Sequence, residues 1–398
     1  MKGSILFNGN IRMDVDFVYR YGGRILSSHH VDPEVRDSKR VLLVTAAWQH
    51  SEFDEGHVKQ ALFRVGIRSH VVNGFERHVE NLSVYHEFAR FLEEEPAIAR
   101  AFRETQDVIR RTKEFYRRKN GEFLRILRES VRYVREMFPG TSLAAILAYD
   151  VNHARDTLRR LDDRGLLFHY CCQDVQDTLA KIVENDDAML SICHEIEAYF
   201  RDRSRLDESP RFIATRDRLR SRVLSANSIM VFGGNLAVLL TTLRFFRLRN
   251  AFHEALFRGT NYYSVSAGSM ALAEKIIVYD DFWGDGHERP RKEFEFFDNG
   301  LGLVTRITLF PHCMDRIQTD DSDNLAYLAH RFSHGPCVGL NEDSFLLAES
   351  YADERLGCVR ERYLSVGEKD GVYVFDRAGN KTVRGQGDEV LRDETQGR

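Results

Sequence analysis

Three side chains met in the order Ser266, Asp281, His312 supply the groups that an activated serine needs. They are a hydroxyl nucleophile, an imidazole to take its proton, and a carboxylate to orient the imidazole. Ser266 lies in Asn261-Tyr262-Tyr263-Ser264-Val265-Ser266-Ala267-Gly268-Ser269-Met270, a short apolar strand breaking into small residues before a helix. That is the sequence form of a nucleophile elbow, where a sharp turn exposes Oγ and the next backbone N–H groups face a developing oxyanion. An ordinary strand-to-helix turn also collects small residues, so the acid and the histidine downstream carry the argument.

Three further segments frame the serine. Ser228 to Val231 reads as a buried strand running into Phe232-Gly233-Gly234-Asn235, and the apolar run Leu236 to Leu243 follows. Leu301-Gly302-Leu303 leads to a strand ending in Pro311-His312, and Gly339-Leu340-Asn341-Glu342 joins a strand to an acidic turn. In this order the segments resemble the serine peptidase family that contains dipeptidase E (aspartyl dipeptidase) and cyanophycinase. The resemblance covers residues 228–378, reaches 1–75 only loosely and omits 76–215. It implies an α/β fold of the class I glutamine amidotransferase-like type: a mostly parallel sheet flanked by helices, a flavodoxin-like three-layer sandwich, here with a large all-α insertion.

Carried over residue by residue, the resemblance implies Ser266 as nucleophile, His312 as general base and Asp281 as the acid, with Asp280 as the alternative acid. It implies an oxyanion hole from the N–H groups of Gly234 and Ala267, and substrate contacts from Asn235 and Arg316. A guanidinium at 316 suits a substrate carboxylate; a surface ion pair with Asp315, Asp320 or Asp321 is the competing reading. Two departures stand out. Ser264 replaces a family glycine, and a polar loop, Gly284 to Lys292, separates the acid from the base.

The elements that must position these residues fall into four segments: 1–75, the N-terminal part of an α/β domain; 76–215, helical; 216–384, the C-terminal part carrying the elbow; and 385–398, a polar tail. Strands are expected at 4–8, 40–46 and 69–72, with a helix near 53–65. Phe123, Leu127, Val131, Val134 and Phe138 recur at helical steps, as do Val175, Leu179, Ile182, Ile192, Ile196 and Phe200. Cys358 to Val366 and Gly371 to Phe375 are expected to pair and close the sheet, with chain ends after 384 frayed.

The basic run from Arg100 to Arg135 suits a polyanion or a partner, but interleaved acids such as Glu104, Glu114 and Glu129 favour a solvated helix laced with ion pairs. An oligomer contact, a protein partner or a cap over the site are the roles considered for 76–215. At 398 residues, net charge −4 and pI about 6.4, the chain reads as a cytoplasmic protein with no membrane segment and no nucleic-acid partner. Its six cysteines lack paired spacing, which fits reduced thiols. No cofactor is called for. The histidines at 29, 30, 50, 57, 330 and 334 lack a third ligand at metal-site spacing, so no metal is expected. The expected substrate is a small peptide or isopeptide. An esterase-type α/β hydrolase and a catalytically silent or gated scaffold, binding through its helices, are the alternatives.

Overall fold

The computed structural model describes residues 2–9, 28–64, 71–72, 75–76, 79–152, 161–278, 296–332, 335–353, 358–367 and 369–391. The strands of the two larger sheets are β1 (Ile5–Asn8), β2 (Val41–Val44), β3 (Val79–Asn81), β4 (Ser228–Val231), β5 (Asn261–Val265), β6 (Thr308–Pro311), β7 (Cys337–Leu340), β8 (Phe345–Asp353), β9 (Cys358–Ser365), β10 (Val372–Phe375), β11 (Lys381–Arg384) and β12 (Glu389–Leu391). Eight of them form one sheet in the order β12-β9-β8-β1-β5-β4-β2-β3. The five from β1 to β3 run parallel, and β8, β9 and β12 extend the sheet antiparallel.

Strands β1, β2 and β4 are buried along their whole length, as apolar runs covered on both faces must be. Phe7, Leu42, Val44, Ile229 and Tyr262 point into the core on one face; Leu6, Val41, Leu43, Met230 and Tyr263 point into the other. This is the expected mostly parallel sheet between helical layers.

A second sheet, β6-β7-β10-β11, carries the strand that leads to His312. Two helices of 42 residues each, α1 (Pro96–Met137) and α2 (Asp163–Ser204), form a long hairpin. The periodic residues do turn inward: Leu127, Val131, Val134, Val175, Leu179 and Ile182 are buried together. Their core continues into Phe310, Cys313, Cys337 and Phe375, so the helical segment packs on the sheet that bears the histidine. The arginines of α1 are largely in local pairs, Arg110 with Asp107 and Glu114, Arg118 with Glu114, and Arg132 with Glu129. Arg125 pairs with Glu122.

Three local expectations fail. Val71–Val72 forms a small hairpin with Phe75–Glu76, and the edge of the main sheet is instead Val79–Asn81, whose single apolar residue left no pattern to read. Cys358–Ser365 and Val372–Phe375 do not pair with one another. The first joins β8 and β12 and the second joins β7 and β11, because partner choice is a tertiary matter that two neighbouring strand patterns do not specify. Residues Glu389–Leu391 form an edge strand on β9, with Val390 buried, where a frayed tail was expected.

Candidate active site

The carboxyl ends of the parallel strands meet at one edge of the sheet, the place where this architecture holds ligands. β5 ends at Val265, and Ser266 then turns sharply into the short helix Ala267–Leu272 with φ 50° and ψ −116°. An L-residue rarely adopts that conformation, and it persists only where the surroundings hold it. The Asn8 carbonyl does so, accepting the Ser266 N–H at 3.0 Å and the Ser269 hydroxyl at 2.9 Å. Ser264, the departure from the family pattern, is buried and donates its hydroxyl to the Leu6 carbonyl at 3.3 Å, which satisfies the group. At Gly268 any side chain is excluded, since a methyl would lie 2.2 Å from the Val231 carbonyl oxygen.

From β4 the chain enters Gly233 and Gly234. A methyl on Gly233 would sit 2.9 Å from Ser266 Cβ and 3.1 Å from the Ala267 nitrogen, so this turn lies directly on the elbow. Gly234 has φ 135°, and a methyl there would meet the Ala47 carbonyl oxygen at 2.8 Å. The turn is braced from the segment after β2: Asn235 N–H donates to the Ala47 carbonyl at 2.9 Å, and Trp48 Nε1 donates to the Gly233 carbonyl at 3.0 Å. The Asn235 side-chain oxygen caps the helix Leu236–Phe245, accepting from Val238 N–H at 3.1 Å.

His312 follows β6 in the left-handed region, φ 55° and ψ 40°, and its carbonyl accepts the N–H groups of Asp315 and Arg316, each at 3.1 Å. The turn brings Nε2 to 2.8 Å from Ser266 Oγ. Burial, and then the Arg316 guanidinium, hold the imidazole below its ordinary pKa, while Asp315 pulls the other way. A neutral imidazole beside a hydroxyl can accept its proton. Asn341, from the end of β7, supports the turn by accepting the Met314 N–H at 3.0 Å.

Arg316 is half-buried, and burial lowers its pKa against the opposing charge of Asp315. Asp320 accepts from Lys381 at 2.8 Å, and Asp321 caps the helix Ser322–Arg331. Asp281, Asp280 and the Gly284–Lys292 loop lie outside the described residues, as does His334. Cys313, adjacent to His312, points into the core, its sulfur 2.5 Å from where a Gly339 methyl would stand. Among the described residues no group of three or more His, Cys, Asp or Glu side chains is placed to hold a metal ion, and no helix is long and apolar enough to cross a membrane.

The bracing residues Asn8, Ala47 and Trp48 were not apparent in the sequence, and Asn341 stood there only as part of a motif, with no bracing role. Their shared signal is position, each at or just beyond the carboxyl end of a strand, which needs the strand order to be recognised.

Residues 194–352, which include Ser266 and His312, match the model of peptidase family S51, the family of dipeptidase E and cyanophycinase. No curated protein matches the chain. Among solved structures, the crystal structure of a peptidase from an acI-B1 Actinobacterium is similar at 12% identity, covering 98% of this chain and 97% of that one with a TM-score of 0.46.

Proposed function

With the peptidase family S51 match of residues 194–352 as premise, we propose that this protein is a serine peptidase that cleaves a peptide, isopeptide or related amide bond in a small substrate through an acyl-enzyme. Ser266 is the nucleophile and His312 the base. Asp281 is the acid that orients the imidazole through Nδ1, with Asp280 as the alternative. The observation that best supports this reading is the 2.8 Å contact between Ser266 Oγ and His312 Nε2, made across two sheets by two residues in strained backbone conformations.

In the reaction Ser266 Oγ adds to the scissile carbonyl as its proton passes to His312 Nε2. The oxyanion is held by the N–H groups of Gly234 and Ala267. The imidazolium returns the proton to the departing amine, the C–N bond breaks and an ester to Ser266 remains. Water then gives its proton to His312, attacks the ester, and the product carboxylate leaves with Oγ reprotonated. Arg316 holds a substrate carboxylate, and the Asn235 side-chain amide nitrogen, whose oxygen is occupied by the helix cap, donates to the substrate.

Labelling by an alkyl fluorophosphonate tests this. The expected result is stable labelling of the wild type, lost in both Ser266→Ala and His312→Ala, followed by hydrolysis within a panel of aspartyl and isoaspartyl dipeptides. A folded wild-type protein that resists the probe would overturn it and favour the silent or gated scaffold.

A further inference from the structure

Seven non-glycine residues have positive φ among the described residues, and two share one unusual conformation: Ser266 (50°, −116°) and Gln49 (59°, −122°). Lys39, Ser83, Arg205 and His312 are instead in the ordinary left-handed helical region, at helix ends. The Gln49 conformation is one that glycine adopts readily and other residues resist, at a cost of about 1–3 kcal/mol. Its surroundings over-determine it.

On one side of Gln49, Ala47 and Trp48 are tied to the Gly233–Gly234 turn by the two hydrogen bonds already described. On the other, Glu52 N–H donates to the Gln49 carbonyl at 2.9 Å, and Glu52 is itself wholly buried. The Glu52 carbonyl accepts from Thr45 Oγ1 and Asn81 Nδ2, both at 2.7 Å. Its carboxylate accepts the N–H groups of Tyr85 and His86 at 3.0 and 2.8 Å, together with His86 Nδ1 at 2.7 Å. The six residues from Ala46 to Ser51 are thus clamped at both ends, and the strain falls on a half-buried glutamine whose side-chain amide has no hydrogen-bond partner among the described residues.

We propose that Gln49 is a substrate-binding, specificity-determining residue of the peptidase site: the clamped loop presents its amide beside the oxyanion turn to pair with a main-chain peptide unit next to the scissile bond. A primary amide offers an acceptor and two donors in one plane, so it can accept from a peptide N–H or donate to a peptide C=O. The substrate class is therefore one with a peptide unit on that side, rather than a simple ester or terminal amide. The inference rests on the serine peptidase reading.

The test compares wild type, Gln49→Gly and Gln49→Asn. Glycine fits the strained backbone, so Gln49→Gly should melt no lower than wild type. Its labelling by the small alkyl fluorophosphonate should stay within about twofold, because that probe has no peptide unit. Protection of Ser266 from the probe by a mixed tripeptide library, whose members carry a second peptide unit beside the scissile one, should need about tenfold more library, the loss of one paired amide. Gln49→Asn, which keeps the amide on a side chain one methylene shorter, should recover part of the protection. Unchanged protection in Gln49→Gly, or equal loss of labelling and protection in that variant, overturns the role of Gln49. A wild type that does not label at all is a separate result, which removes the peptidase reading and this inference with it.

Discussion

At the residue scale the proposed chemistry depends on His312 being neutral when it meets Ser266. Burial and the Arg316 charge both disfavour the imidazolium, so proton acceptance persists to lower pH than an ordinary histidine would allow. Removing the Arg316 charge should raise the His312 pKa. The acid limb of the fluorophosphonate labelling rate should therefore move to higher pH in Arg316→Gln, and an unmoved limb would show that Arg316 does not set the base. Asp281 is testable in the same assay. Asp281→Asn should slow labelling by about 10⁴-fold, the loss seen when a triad carboxylate becomes an amide, whereas Asp280→Asn should leave it within a few-fold. The reverse outcome would assign the acid to Asp280.

At the element scale, tight approaches set the site. The elbow helix sits on β4 at Gly268, with no room for a methyl beside the Val231 carbonyl. Gly268→Ala should destabilise by about 1–3 kcal/mol in urea unfolding, as over-packing against backbone does. Farther out, Arg331 on the helix Ser322–Arg331 makes a fork to Asp186 on α2 at 3.0 and 3.1 Å, with both side chains buried and Asn120 donating to the same carboxylate at 2.6 Å. This pair ties the hairpin to the part of the chain that carries Ser266 and His312. Asp186→Ala leaves a buried guanidinium without its carboxylate and should cost about 3–5 kcal/mol, against a fraction of that for an exposed pair such as Arg132–Glu129.

At the scale of the whole molecule, the helical hairpin and the sheet that carries His312 share one apolar core. A second tie is ionic. Asp298 accepts from Arg244 at 2.6 Å and from Lys113 of α1. Burial acts to raise the Asp298 carboxyl, but Arg244 and Lys113 outweigh it and hold the group below the usual carboxylate range. A depressed folded-state pKa contributes stability that is complete above the unfolded value of about 3.9 and is lost as pH falls through the folded value. The stability advantage of wild type over Asp298→Asn should accordingly shrink as pH drops below about 4, measured by urea unfolding across that range. A constant difference would show that Asp298 is not the group that titrates there.

The sequence alone determined what is local and periodic. Apolar runs bounded by glycine marked the buried strands around Ser266 and Gly234, three- and four-residue steps marked the long helices, and the ordered motifs marked the family that residues 194–352 match. Only the tertiary structure decided which strands share a sheet, since a strand's own pattern specifies its buried faces and not its neighbour; Cys358–Ser365 and Val372–Phe375 parted company for that reason. It also decided how Ser266 and His312 meet. A separation of 46 residues and two sheets is closed by strained turns at 266 and 312, whose conformations are held by Asn8 and Asn341 from distant strands. Residue types at a spacing name the chemistry, whereas the contacts that force such backbone angles come from segments far away in the chain and exist only once it has folded.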